Sequence, residues 1–267
     1  MYTPRKLQIS EMSLAAPLFE GWDETLIWSC LQGVMGEVYA VEGENGTLLA
    51  QAVLSDFCFF AGNAGLAGYD AAAALAKNDV YTREIMIFVP QNDGWSRVIE
   101  TAFPGRCSKF TRYAFEKNTE FDRTRLQSFL HSVPEGFSVV PIDRRLYDLS
   151  QDFCWSKDLC SQYADWEEYD RCGLGFMALH DGEPVAGASS LSYYNGGIEI
   201  EIDTREDFRR LGLAAACASA LILECLGRGL YPSWDAANEI SVSLAKKLGY
   251  RFSHEYTAYA VTGFDKK

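Results

Sequence analysis

Metal ligands are scarce in this chain of 267 residues. It has three dispersed histidines, His131, His180 and His254, and its eight cysteines contain no C-x-x-C pair. A structural zinc site needs clustered thiolates and imidazoles, so no metal is expected. Scattered thiols within apolar elements read as reduced and buried, as in a cytoplasmic protein. No run reaches the ~18–20 apolar residues of a membrane span. The opening Met1-Tyr-Thr-Pro-Arg-Lys leads into alternating polar and apolar residues, without the apolar core of a signal peptide. Positive charge is also short, with 24 Lys and Arg against 37 Asp and Glu and a net charge of −13. That balance argues against nucleic acid, where phosphate neutralisation dominates affinity. What remains is ample core material: 48% apolar residues and 13% aromatics, enough for one large domain or two small ones.

The most informative stretch runs from Ile198 to Gly227. Strict alternation over Ile198 to Asp203 predicts a half-buried strand, with Glu199, Glu201 and Asp203 on one face and three isoleucines on the other. Leu213 to Leu226 is nearly all apolar and rich in alanine, which predicts a helix buried on most sides and stopped by Gly227 and Gly229. Between them stands Arg209-Arg210-Leu211-Gly212-Leu213-Ala214. A helix start offers unpaired N–H groups and the positive end of the dipole, and Gly212 and Ala214 let backbone approach an anion closely. No Gly-Lys-Ser/Thr follows, and the G-x-G-x-x-G of a dinucleotide fold is missing.

The N-terminal half carries no chemical motif of this clarity. Strands are predicted over Val34–Ala40, Thr47–Leu54, Asp56–Phe60, Glu84–Val89 and Lys109–Phe115, and helices over Ala71–Lys77 and Trp95–Ala102. The order strand, Gly loop, helix, strand, helix, strand recurs in the second half. There it is Ile198–Asp203, the Arg loop, the long helix, Leu230–Asp235, Glu239–Leu248 and Phe252–Val261. Gly62-x-x-Gly65-Leu66-Ala67 echoes Arg209-x-x-Gly212-Leu213-Ala214, which suggests two copies of one fold; chance likeness between two α/β halves is the alternative. Segment 61–68 itself reads as a turn, with a phosphate site as the alternative. The turn-rich His131-Ser-Val-Pro-Glu-Gly136 places the boundary, giving domains 1–130 and 137–267. Phe137–Asp143 is predicted as a strand, and Leu146–Trp166 as mixed helix and loop serving either as packing or as a wall over an acceptor site. Gly175–His180 and Pro184–Tyr193 form a hairpin over Asp181-Gly-Glu.

Arg-x-x-Gly-x-Ala resembles the pyrophosphate loop of the GNAT superfamily of N-acetyltransferases, and the match extends downstream. Asn238, Ser241, Leu244, Lys247, Leu248, Gly249 and Tyr250 follow the family's pattern of Asn, helix and Leu-Gly-Phe/Tyr, so the resemblance covers about residues 137–262. Pro232-x-Trp234-Asp235 and Ser241-x-x-Leu244-Ala245 are similar to the branch of zwittermicin A resistance-type acetyltransferases. The resemblance implies a mixed-sheet α/β fold, with a GNAT-like acyl-CoA domain in the C-terminal half; if the repeated element order reflects two copies, the smaller N-terminal α/β half is a degenerate GNAT-like one. It implies acetyl-CoA as co-substrate, its pyrophosphate on Arg209, Arg210, Leu211, Gly212, Leu213 and Ala214. The pantetheine would follow Ile202, Asp203 and Thr204, with Asn238 and Ser241 completing the coenzyme-binding set. One departure stands out: many relatives carry a Tyr where this chain has Ala245.

Acyl transfer to an amine needs a deprotonated amine, an oriented thioester and a proton for the leaving sulfur. Crowded carboxylates raise one another's pKa, so Glu201, followed by Glu199, is the candidate base; the alternative is a solvated strand face. Ser241 or water is the candidate acid. The expected acceptor is a small cationic amine drawn by the negative field, with Trp155, Trp166, Tyr193 and Tyr194 as candidate cation–π partners. Two other readings fit the same motifs: an acetyl-CoA-binding sensor without chemistry, and an acetyltransferase of protein N-termini. A homodimer is compatible with all three.

Overall fold

The computed structural model describes residues 2–264; Met1 and 265–267, the outer ends of the two expected domains, lie outside it. Contacts divide the chain into two units, one formed by residues up to Arg112 together with the segment from Glu255 onward, the other by Tyr113–His254. The division falls earlier than the turn-rich stretch at 130–136. The reason is Leu126, fully buried in the core of the second unit on a helix that precedes that stretch.

Unit 1 opens with the short strand β1 (Arg5–Lys6) and two helices without an expectation from sequence, α1 (Met12–Ala15) and α2 (Thr25–Leu31). Helix α2 buries Leu26, Ile27 and Cys30, and the Glu24 carboxylate caps it by accepting from the Leu26 N–H. Strands β2 (Glu37–Glu42), β3 (Leu48–Leu54) and β4 (Phe57–Ala61) then form an antiparallel meander. A single helical turn α3 (Ala64–Ala67) and helix α4 (Tyr69–Ala76) cross over to β5 (Ile85–Pro90), which lies parallel to β4. Helix α5 (Asp93–Ala102) follows, then β6 (Cys107–Phe115), which runs on into unit 2. Phe60, Phe88 and Trp95 meet at the centre of this core, with ring centroids 4.9 and 5.1 Å apart.

Unit 2 begins with α6 (Arg123–His131), capped by Asp122. Then come β7 (Phe137–Pro141), α7 (Arg144–Asp152), a 3₁₀ turn at Lys157–Leu159 and α8 (Trp166–Cys172). The expected hairpin is present as β8 (Gly175–His180) and β9 (Glu183–Tyr194), with Asp181 and Gly182 both left-handed at φ 51° and 83°. Next stand β10 (Gly197–Thr204), α9 (Leu213–Gly227), β11 (Tyr231–Ser233), β12 (Asp235–Ala236), α10 (Glu239–Leu248) and β13 (Phe252–Thr262). Helix α9 ends with Gly227 as its last residue, and Gly229 beyond it is left-handed at φ 72°. The five-stranded sheet has the order β11-β10-β9-β8-β7. Helix α9 covers one face, where Ile198, Ile200, Cys217, Leu221 and Ile222 share the core. Strand β13 carries the chain back into unit 1, where Tyr259–Thr262 pair with β5. Among the described residues no helix is long and apolar enough to cross a membrane.

Candidate active site

The site begins where two parallel strands part. β10 and β11 pair through Gly197↔Tyr231, Ile198↔Pro232 and Glu199↔Ser233. Trp234, 2% exposed, then interrupts the strand, and Asp235 and Ala236 pair instead with Ala114 and Tyr113 of β6. The continuous strand expected over Leu230–Asp235 is therefore broken in the middle. From Ile200 to Thr204, β10 keeps β9 on one edge, and among the described residues no strand pairs with the other. A register shift at the Glu199/Ile200 junction places one extra β9 residue, Leu191, opposite it. Such a bulge increases the local twist and helps turn this half of β10 away.

The open edge leads to the start of α9. Gly212 is the N-cap, left-handed at φ 81° and ψ 0°, and no side chain caps the helix. A Cβ at Gly212 would meet no atom within 4 Å, so the backbone faces open space. Arg210 is also left-handed at φ 65°, so the turn before the helix holds two left-handed residues, Arg210 and Gly212. Arg209 is exposed, with Nε donating to the Thr204 carbonyl at 3.3 Å. Arg205 is spoken for: its guanidinium grips Asp207 with bonds of 2.8 and 3.0 Å and stacks on Phe208. The uncapped helix start, its dipole and Arg209 together suit a diphosphate.

The three acids differ more than alternation suggests. Glu199 is 2% exposed, with Ser192 opposite it on β9 and Ser233 opposite it on β11, both fully buried. Lys117 Nζ donates to Ser233 Oγ at 2.7 Å, which puts an ammonium beside the residue paired with Glu199. Glu201 and Asp203 are half-buried and lie within the unpaired span. Burial holds the Asp203 carboxyl above the usual range, the Thr204 N–H and Arg209 oppose this, and Asp158 adds to it. The neighbouring acid is thus Asp158 of the 3₁₀ turn, which packs on β9 and β10, and not a strand neighbour as expected.

Segment 144–172 lies on the same sheet, anchored by Tyr169 OH to Ser189 Oγ at 2.9 Å and Tyr163 OH to Ser190 Oγ at 2.5 Å. Of the four expected aromatics, Trp166 packs against Tyr147 and Tyr169, Tyr193 stacks on Tyr163 and Tyr194 is buried. Trp155 is half-buried.

On the far side of the split, Asn238 caps α10, its Oδ1 accepting from the Ser241 N–H at 3.0 Å. Ser241 Oγ in turn accepts from Trp234 Nε1 at 3.1 Å, a contact that sequence spacing alone does not reveal. Leu-Gly-Tyr has a clear physical purpose. Gly249, left-handed at φ 112°, ends the helix in a Schellman motif, with Gly249 N bonded to Lys246 O and Tyr250 N to Ala245 O. This directs Tyr250 inward, where its hydroxyl holds the Pro232 carbonyl at 2.7 Å and its ring meets Trp234. Burial raises that phenol well above its ordinary pKa, so it stays a neutral donor. Ala245 is fully buried in the core. Among the described residues no cluster of His, Cys, Asp and Glu suits a metal ion.

Known proteins share this chain's sequence pattern and fold. The sequence profile of the GNAT acetyltransferases matches residues 16–259. A GCN5-related N-acetyltransferase-like protein from Streptococcus suis 89/1591 has a crystal structure 44% identical in sequence, with a TM-score of 0.85 over 94% of this chain and 98% of that one. An uncharacterized N-acetyltransferase of Bacillus subtilis, YdfB, is 27% identical over 242 residues, 88% of this chain and 89% of that protein. A tandem GNAT protein from the clavulanic acid biosynthesis pathway, 12% identical, shares the fold at a TM-score of 0.53 over 98% of this chain and 99% of its own.

Proposed function

Because this chain belongs to the GNAT acetyltransferase family, and is an acyltransferase enzyme, we propose that it moves an acetyl group from acetyl-CoA to a primary amine of a small molecule, by direct attack within a ternary complex. The observation that carries this reading is the unpaired edge Ile200–Thr204 running into the uncapped start of α9. Its backbone N–H and C=O groups suit an amide-bearing chain laid alongside as a strand would be, and the N–H groups of 212–214 with Arg209 suit a diphosphate. Acetyl-CoA, the co-substrate, supplies an activated thioester. Holding acceptor and thioester in line is worth ~7–11 kcal/mol of barrier, so positioning is the main contribution asked of the protein.

Glu201 is our candidate base. It shares a face with Glu199 but lies in the open span and is accessible, whereas Glu199 is sealed beside Ser192, Ser233 and Lys117. Proton transfer by a placed carboxylate typically contributes about 10²–10⁴-fold. For the acid, Ala245 offers no proton. Ser241 does: its oxygen accepts from Trp234, which leaves the single hydroxyl proton free to point elsewhere. The acids Glu201, Asp203 and Asp158 on this face support a small cationic acceptor, which we take to be a polyfunctional amine. The test is CoA release from acetyl-CoA across a panel of small polyamines, amino-antibiotics and N-terminal peptides at two salt concentrations. We expect turnover of cationic small amines that falls as salt rises. Tight acetyl-CoA binding without turnover of any amine, or salt-independent turnover confined to peptides, would overturn the reading.

A further inference from the structure

The two parallel strands at the candidate site are unequal. β10 is eight residues long and pairs with β9 throughout, whereas β11 has three residues, Tyr231, Pro232 and Ser233. A parallel strand that short has too few ladder bonds to hold itself in place. Unit 1 follows the same order, with β4, α3–α4, β5 and the Asn-capped α5 corresponding to β10, α9, β11 and the Asn-capped α10. There the second strand has six residues and stays with the first through Phe57↔Ile87, Cys58↔Phe88, Phe59↔Val89 and Phe60↔Pro90. Gln91 and Trp95 close that seam further, Gln91 Oε1 accepting from Gly62 N and Trp95 Nε1 donating to Gly62 O, both at 2.9 Å.

In β11 every residue is gripped from outside the sheet. The Tyr231 hydroxyl donates to the Glu116 carbonyl at 2.8 Å and accepts from the Thr119 N–H at 3.3 Å. The Pro232 carbonyl accepts from Tyr250, and Ser233 Oγ accepts from Lys117 Nζ at 2.7 Å. Lys117 is itself well placed for this. Glu116 and Thr119, on either side of it, are bound to Tyr231, and Glu116 N donates to the Arg251 carbonyl at 2.9 Å. Its ammonium is therefore aimed at Ser233 with little further loss of chain entropy.

Ser233 lies at the point that matters for chemistry. It is fully buried, and its pair with Glu199 is the last before β10 and β11 part, so these two residues floor the cleft that opens at Ile200. On the β9 side of Glu199, the buried Ser192 hydroxyl has no hydrogen-bond partner among the described residues, so the hold on this floor comes from the Lys117 side. An acyl-CoA arm laid along Ile200–Thr204, with its diphosphate at the start of α9, ends its thioester at this floor.

We propose that Lys117 is a positioning residue for acyl transfer: through Ser233 it fixes the end of β11 where the strands part, and so sets where the thioester of acetyl-CoA stops relative to Glu201. The inference rests on the coenzyme placement proposed above. Lys117 touches no reacting atom and moves no proton in this role. Its effect is on alignment, where a misplacement of about 1 Å costs up to about 10²-fold in rate.

The test uses the full chain and pairs binding with turnover. CoA affinity is read by calorimetric titration, the placing of the acetyl group by the ¹³C signal of bound [1-¹³C]acetyl-CoA, and kcat and KM with the best amine of the panel above. Lys117→Met keeps the aliphatic stem and loses the donor. It should lower kcat about tenfold or more and move the bound acetyl signal, with CoA affinity and KM for acetyl-CoA within about twofold of the parent. Ser233→Ala should do the same, and the two changes together should cost no more than either alone. Lys117→Arg, which restores a donor, should recover most of both readouts. Arg209→Ala is the converse: CoA affinity should fall about tenfold while the acetyl signal of the saturated protein stays at the parent's position. Parent-like kcat and acetyl signal in Lys117→Met, CoA affinity lost in step with kcat, or no rescue by Lys117→Arg would overturn the proposal and leave the coenzyme site standing. CoA affinity untouched by Arg209→Ala, or no binding by the parent, would overturn the coenzyme placement and this inference with it. A parent that binds acetyl-CoA but acetylates no amine sinks the enzyme reading alone, and the acetyl signal still decides for or against Lys117.

Discussion

Replacing Gly212 tests the proposed phosphate cradle most directly, because the structure separates the cost to folding from the cost to binding. Gly212 is left-handed at φ 81°, a conformation that costs an L-residue roughly 1–2 kcal/mol, and more when the side chain is β-branched. No atom lies within 4 Å of a Cβ built there, so Gly212→Val adds strain but no clash. The expected penalty of about 2 kcal/mol lowers the melting temperature by roughly 4–8 °C for a chain of this size and leaves a folded protein. Binding should suffer more. The new side chain fills the space in front of the helix start, and losing even two charge-assisted hydrogen bonds costs roughly 3 kcal/mol or more, which is at least about a hundredfold in affinity. Gly212→Asn is the control, since Asn tolerates the left-handed region: it should regain most of the stability while still obstructing the cradle. The assay is calorimetric titration with CoA beside thermal unfolding. CoA bound by a folded Gly212→Val as tightly as by the parent would refute the cradle.

Three further outcomes are expected. Glu201→Gln should slow acetyl transfer at neutral pH by about 10²-fold or more and recover partly at alkaline pH, where the acceptor deprotonates in solution; pH–rate profiles identical to those of Glu199→Gln and the parent would remove the base. Trp234→Phe keeps an aromatic ring but loses the donor to Ser241, so Trp234→Phe and Ser241→Ala should lower kcat non-additively in a double-mutant cycle, whereas additive losses would mean that the two residues act independently. Asp203 is held above the ordinary aspartate range chiefly by burial, so its favourable contribution is present below the unfolded pKa and is lost as pH rises through the folded one. Asp203→Asn should therefore equal or exceed the parent in stability at neutral pH, with the gap closing as pH falls into the range just above an ordinary aspartate; denaturant midpoints across pH would show a deficit at neutral pH if ionised Asp203 has a favourable partner.

Local rules made much of unit 2 legible. The hairpin turn at Asp181-Gly182, the alternation of β10 and the apolar run of α9 are each decided by residues close in sequence. Helix α10 is bounded by its own cap and its own glycine, so Glu239–Leu248 could be read without knowing the fold. The short helices α1 and α2 escaped because their amphipathic stretches are too brief to show a period; α2 is held by burying Leu26, Ile27 and Cys30. Where one unit ends and the other begins is not decided locally, for a related reason. Which unit Leu126 or Tyr259 belongs to depends on the core that receives it, and both cores are equally apolar as sequence.

Caps, glycines at left-handed positions and hydrophobic periods act over a few residues, so most elements of unit 2 and the glycine turn before α9 were decided locally. The sequence by itself also carried the family resemblance, in the residues from Arg209 to Tyr250. Whether two parallel strands stay joined or part is not a local property. Cys58 and Glu199 both sit in strands with a parallel neighbour, yet β5 follows β4 to its end while β11 leaves β10 after three pairs. Trp234 buried at the break, Tyr250 holding the Pro232 carbonyl and the pairing of Asp235 with β6 draw one strand away; Gln91 and Trp95 hold the other pair shut. Only tertiary structure made that choice, because it is made by side chains and strands distant in sequence competing for the same backbone groups.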